Sequence, residues 1–159
     1  ILRQRGGPFV VDSLQMDAPR EDEILVRVVA SGVCHTDIAM AGAWDGSIGP
    51  VVLGHEGAGV VKQVGSEVRG IAPGDHVVLS YASCGGCAAC HAGRPARCAR
   101  LGELNFGFQR ADGSNALWRS GIRGHFFRQS SFATHLLATE RNAVVVDAEL
   151  PFETLAPLG

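Results

Sequence analysis

Cys84-Gly85-Gly86-Cys87-Ala88-Ala89-Cys90, followed after seven further residues by Cys98, is the segment around which the rest of the chain can be read. Two residues between successive cysteines let neighbouring thiolates face one ion, and the small Gly and Ala residues let the backbone wrap tightly around it. Four thiolates close a tetrahedral shell with no open position, which is the structural zinc arrangement. An iron–sulfur cluster fits less well. That pattern places its last Cys after three residues with Pro following, whereas here Ala99 follows Cys98. Free or disulfide-bonded cysteines in a loop are the plainer alternative. His91 lies inside the loop, but four cysteines already suffice. The chain has five cysteines, an odd number. With four of them clustered, metal ligation in a reducing compartment is expected over a secreted disulfide framework, with the cytoplasm as default.

Outward from this lobe (about residues 80–100), the sequence reads as short strands. Residues 23–30, EILVRVVA, are rich in β-branched side chains and end at Ser31-Gly32. Residues 57–65, GAGVVKQVG, form a second strand, with Gly where backbones bend or approach closely. Pro73-Gly74-Asp75 is a turn leading into a third strand, His76–Leu79, and Ala143–Val146 is a fourth. Ala111-Asp112-Gly113-Ser114 reads as a hairpin turn, and a helix is expected from Glu153 onward. Several short strands with few helical patterns indicate a mainly β domain with short helices, built as a β-barrel or Greek key.

A length of 159 residues is one domain's worth, and 46% hydrophobic with 19% charged residues places the chain among globular proteins. A net charge of −2 gives no reason to expect nucleic acid or an anionic membrane as partner. No apolar run approaches the roughly 20 residues that span a bilayer. The chain starts at Ile1 and stops at Leu158-Gly159 without a polar tail, as an excised domain would.

Two further segments carry metal-ligand chemistry. Gly32-Val33-Cys34-His35-Thr36-Asp37 follows the first strand, and Gly54-His55-Glu56-Gly57 opens the second. Alone, each is weak, since a lone Cys is more often a small buried hydrophobe and a lone His a hydrogen-bonded structural residue. Together they supply a thiolate and an imidazole, one short of the three protein ligands of a catalytic zinc. His76, His125, His135 and Glu56 are the available candidates for the third.

In their order along the chain, Gly-Val-Cys-His-Thr-Asp, Gly-His-Glu-Gly-Ala-Gly-Val-Val, Gly-Asp-His-Val-Val-Leu and the four-cysteine lobe resemble medium-chain zinc alcohol dehydrogenases. Residues 126–133, FFRQSSFA, resemble that family's Phe-x-Gly-x-Ser-x-Phe-Ala segment, with Arg128 in place of Gly. The aryl or benzyl alcohol branch is the nearest subgroup, on Ser80-Tyr81 and Asn105-Phe106. The resemblance implies a GroES-like β-barrel domain over residues 1–152. It also implies that residues 153–159 begin the connection to a missing Rossmann domain, whose entrance would supply a Cys as third catalytic ligand.

The same resemblance implies an activity and a set of roles. Cys34 and His55 would hold the catalytic zinc, and Cys84, Cys87, Cys90 and Cys98 the structural one. A primary, aromatic alcohol would be oxidised to the aldehyde by hydride transfer from a zinc-bound alkoxide to NAD, the fragment alone being inactive. Thr36 would relay the alcohol proton, Asp37 would orient His55, and Glu56 would sit beside the zinc. His35 would face the cofactor pyrophosphate, while Trp44 and Phe127 would line the substrate pocket. The His that usually ends the proton relay is absent, Ala39 standing in its place. The bland alternatives are surface carboxylates for Asp37 and Glu56, core packing for Trp44 and Phe127, and structural roles for His76, His125 and His135. The full-length enzyme is expected to form homo-oligomers. A zinc-free quinone or enone reductase, a dehydrogenase of thiol adducts and a non-catalytic binding module are the competing functions.

Overall fold

The computed structural model describes residues 1–117 and 121–159. Five strands form one antiparallel sheet in the order β4-β1-β2-β3-β5. They are β1 (Glu23–Ser31), β2 (Gly57–Val64), β3 (His76–Leu79), β4 (His135–Thr139) and β5 (Ala143–Val146). The four strands read from the sequence are all present; β4 (His135–Thr139) is the addition. Its Leu136 and Ala138 alternate inward, but three leucine and alanine residues in five give little β-branched signal.

The sheet is curled. Strands β4 and β5 lie at opposite edges, yet only the short 3-10 turn Glu140–Asn142 joins them. Four flat inter-strand spacings would separate the edges by about 19 Å, while the four residues from Thr139 to Ala143 reach at most about 14 Å. The edges therefore approach each other, as in a barrel. Residues two apart point inward and meet there: Ile24 and Val26, Val77 and Leu79, and Leu136 and Ala138 pack with Val61, Val68 and Ile71 in the main core. Close strand approach excludes side chains at Gly59, where a Cβ would sit 2.1 Å from the Arg27 carbonyl oxygen.

Four short helices decorate the sheet. Helix α1 (His35–Ala43) follows β1, α2 (Ala88–His91) and α3 (Leu101–Phe106) belong to the cysteine lobe region, and α4 (Phe152–Leu155) follows β5. The expected hairpin at 111–114 is a turn with no flanking strand among the described residues. The Ser114 carbonyl accepts from Arg110 N–H, and Asp112 Oδ1 caps the turn by accepting from Ser114 N–H and Oγ–H. An Asx-type cap closes such a turn without needing a ladder on either side. The excursion is instead tied to β1 through Arg110, which donates twice to buried Glu23 and once to Asp17.

Among the described residues no helix is long and apolar enough to cross a membrane.

Candidate functional site

Two groups that could hold a metal stand out among the described residues, the first marked by its cysteine spacing and the second by two separate segments. In each, the ligand atoms all lie within 4.8 Å of one another: Cys84, Cys87, Cys90 and Cys98 in one, and Cys34, His55 and Glu56 in the other.

The four-cysteine lobe fits a closed zinc site. Cys84 Sγ and Cys90 Sγ are 4.0 Å apart, against about 3.8 Å for the edge of a tetrahedron with Zn–S near 2.3 Å. No disulfide joins any of the five cysteines. Backbone N–H groups converge on the sulfurs: Cys98 Sγ accepts from Cys84 N–H at 3.2 Å and from Arg100 N–H at 3.4 Å. The N–H groups of Ala99 and Cys90 bring the Cys87 thiol down to about 6, so that it is ready to bind metal as thiolate at neutral pH. The lobe is fastened to the sheet by buried Asn105, whose side chain accepts from Ala82 N–H and donates to Ala82 O. His91 lies outside the ligand set.

The second group is assembled by one carboxylate. Cys34 caps α1, and Asp37 is in the first turn of that helix. Asp37 is 1% exposed, so it is not a surface carboxylate. Its Oδ2 accepts from Cys34 N–H at 3.1 Å, and its Oδ1 accepts from Gly54 N–H at 2.9 Å. The same Oδ1 is 3.2 Å from His55 Nδ1. One side chain thus ties the Cys34 turn to the His55 turn and, by engaging Nδ1, leaves Nε2 as the ring nitrogen able to bind metal. Burial opposes a charged His55, but the Asp37 carboxylate and then Cys34 outweigh it and raise its pKa. Hydrogen bonds from Thr36, and then from His55, lower that of Cys34. Thr36 Oγ1 lies 3.7 Å from Cys34 Sγ. Gly54 is required for the turn: its φ is +90°, and a Cβ there would stand 2.4 Å from Phe132 N.

Of the four sequence candidates for a third ligand, Glu56 is the one that joins Cys34 and His55. His76 packs tilted against Phe152 with ring centroids 4.6 Å apart. His125 is buried and accepts from Ala116 N–H, and burial together with Arg128 and Arg110 pushes its pKa down to about 4. His135 is exposed at the start of β4, against Thr134. The ring of Phe127 lies on His55 at 4.5 Å, and Phe126 meets the same imidazole edge-on at 5.5 Å. Trp44 packs in the apolar cluster that contains Phe126. His35 is exposed at the first position of α1.

Gln129 is a site residue that carried no role in the sequence reading. Its Oε1 accepts from Gly57 N–H, and its Nε2 donates to His55 O at 2.7 Å, bracketing Glu56 from both sides. The only sequence signal for it was its place in the 126–133 segment. That segment is held in an unusual backbone: His125, Phe127, Arg128 and Ser130 all have positive φ.

Asp37→Asn is expected to weaken metal at the Cys34–His55 site by about 10–100-fold while sparing the four-thiolate lobe. Chelator competition on the zinc-loaded protein measures this, and identical release from both proteins would remove Asp37 from the site.

The chain is similar to known proteins over its whole length. The family described as alcohol dehydrogenase GroES-like domain matches residues 20–148. A geraniol dehydrogenase of Castellaniella defragrans is 48% identical over the whole chain, which spans 43% of that relative. The crystal structure of an alcohol dehydrogenase zinc-binding domain protein from Burkholderia ambifaria superposes with a TM-score of 0.93 at 49% identity, covering 99% of this chain and 44% of that one. Benzyl alcohol dehydrogenase from Acinetobacter calcoaceticus gives a TM-score of 0.92 at 42% identity, covering 99% of this chain and 43% of that one. The chain thus spans less than half the length of these relatives.

Proposed function

The chain belongs to the alcohol dehydrogenase GroES-like domain family, and on that premise we propose that it is the zinc-binding catalytic portion of an NAD-dependent dehydrogenase acting on a primary, aromatic alcohol. The observation that carries this reading is the convergence of Cys34 and His55, with Asp37 buried behind both. A structural site needs no vacancy, whereas two ligands plus a displaceable carboxylate leave room for a substrate.

A zinc ion held by Cys34 and His55 would supply Lewis acidity toward an alcohol hydroxyl, and a bound nicotinamide would supply the hydride acceptor. The chain's own residues do the rest. Cys34 and His55 hold the metal, and Asp37 fixes the His55 tautomer. Glu56 waits beside them as an exchangeable carboxylate. Thr36 relays the alcohol proton, its hydroxyl accepting that proton as it passes its own on. With Ala39 at the usual position of the terminal His, that proton leaves through water. His35, exposed on the first turn of α1, is placed to meet cofactor phosphate. Phe127, flat on His55, and the apolar pair Ile38 and Ala39 favour a planar, unsaturated substituent beside the carbinol carbon. Geraniol and benzyl alcohol, the substrates in the names of two relatives, share that feature.

The test is NAD reduction by the full-length protein with benzyl alcohol, geraniol and ethanol. The expected kcat/KM for benzyl alcohol exceeds that for ethanol by at least about tenfold, the scale of discrimination an apolar pocket provides. Equal or better use of ethanol would discard the aromatic substrate. A lack of reduction with every alcohol, by protein loaded with zinc, would discard the dehydrogenase.

A further inference from the structure

Arg128 combines three features that do not normally occur together. Its backbone is left-handed, with φ of +56°, a conformation that side-chain-bearing residues adopt rarely. Its side chain is only 7% exposed. And its Nη1 is buried with no hydrogen-bond partner among the described residues. Burial lowers its pKa, but a guanidinium keeps its charge in proteins and so retains its need for an acceptor. Of the three carboxylates whose charge acts on it, exposed Asp22 forms no ion pair with it, and the other two are engaged elsewhere. Both oxygens of Glu23 bind Arg110, and Asp112 is taken by Ser114 and Arg20.

Arg128 lines a cavity of about 270 Å³ between the cysteine lobe and the sheet, whose walls include Arg100 and Arg141. We propose that this cavity binds a small tetrahedral oxyanion, of the phosphate or sulfate class, between Arg128 and Arg141. Arg141 donates only to the neutral Ser83 carbonyl and hydroxyl, and it forms no ion pair among the described residues. Arg100 is paired with Glu103. Three carboxylates share the walls, namely Asp22, Glu67 and Glu140. Glu140 is occupied by the N–H groups of Arg69 and Gly70, and Asp22 and Glu67 are exposed at the rim. Cys84 is also on the wall, and the thiolates of a loaded lobe repel an anion at long range. Arg100, whose charge acts on Cys84 and Cys98, offsets that repulsion, which leaves Arg128 and Arg141 for the ligand. The volume holds a tetrahedral anion with several waters, each of which takes about 30 Å³. Guanidinium is the side chain best matched to such an oxyanion, through paired N–H donors.

The experiment is a titration of the zinc-loaded protein, in the longest form its gene encodes, with inorganic phosphate. Phosphorus NMR follows binding, with chloride as the ionic-strength control. Saturable binding in the millimolar range is expected, the strength of a few charge-assisted hydrogen bonds. Arg128→Gly should weaken it by about tenfold or more and should fold well, because Gly adopts positive φ without strain. Arg141→Gln should weaken it severalfold, and Arg128→Lys should retain part of it. Absence of saturable binding, or equal affinity in Arg128→Gly, overturns the proposal and leaves a cavity holding water only.

Discussion

Cys34→Ser in the full-length protein should abolish alcohol oxidation while leaving close to one zinc per chain, held in the four-cysteine lobe. The hydroxyl of Ser is a far poorer ligand than a thiolate, and the site has no spare donor: Cys34, His55 and Glu56 are the group that converges there. The loss should exceed the roughly 10–100-fold that follows from removing an outer partner such as Asp37. The lobe should be untouched, because its four sulfurs belong to a separate set of turns and hold their own N–H donors. Elemental analysis alongside turnover separates the outcomes. Activity that survives Cys34→Ser would remove the metal from the chemistry. Loss of both zinc ions would show instead that Cys34 is needed for the fold.

The contrast between the two metal groups shows what local sequence can encode. The lobe ligands fall within fifteen residues, so spacing alone brings them together and the reading survives without a fold. Cys34 and His55 meet only because β1 and β2 pair antiparallel, with Ser31 opposite Gly57. That pairing follows from two legible strands, but its register does not. The strands themselves were readable where β-branched residues alternate, as at Ile24 and Val26. What stayed hidden depends on contacts distant in sequence. Gln129 reaches His55 O across 74 residues, and nothing local in Gln-Ser-Ser announces an amide that brackets a ligand. The positive φ at His125, Phe127, Arg128 and Ser130 is similarly opaque, since only Gly advertises such a backbone. The turn at 111–114 misled for the opposite reason. Asp-Gly is a strong turn signal, but whether strands flank it is decided by what the flanks can pair with.

Arg110→Ala should destabilise the zinc-loaded protein by about 3–5 kcal/mol, the scale for breaking a buried pair on one side only. At 2–4 °C per kcal/mol for a chain of this size, Tm should fall by roughly 10 °C. Arg110 and Glu23 are 3% and 2% exposed, and the guanidinium grips the carboxylate with two bonds of 2.8 and 2.9 Å. Removing the cation leaves a carboxylate buried at the start of β1 with only the N–H of Arg20 at 3.1 Å. Adding Glu23→Gln to Arg110→Ala should therefore recover stability, because the amide keeps an acceptor for Arg20 and carries no charge. A double variant less stable than the single one would mean that the guanidinium works by packing, not by charge. The pH dependence supplies an independent sign. Burial alone would raise the Glu23 pKa, but the Arg110 bonds and the Arg20 N–H outweigh it and hold it below the usual 4.5. A depressed carboxylate contributes its full stability above about pH 4.5 and loses it as pH falls through the lower folded value. The wild-type advantage over Arg110→Ala should therefore be complete at neutral pH and narrow under acid, where Glu23 is protonated in both proteins. A gap that stays constant on acidification would assign the loss to the missing side-chain volume.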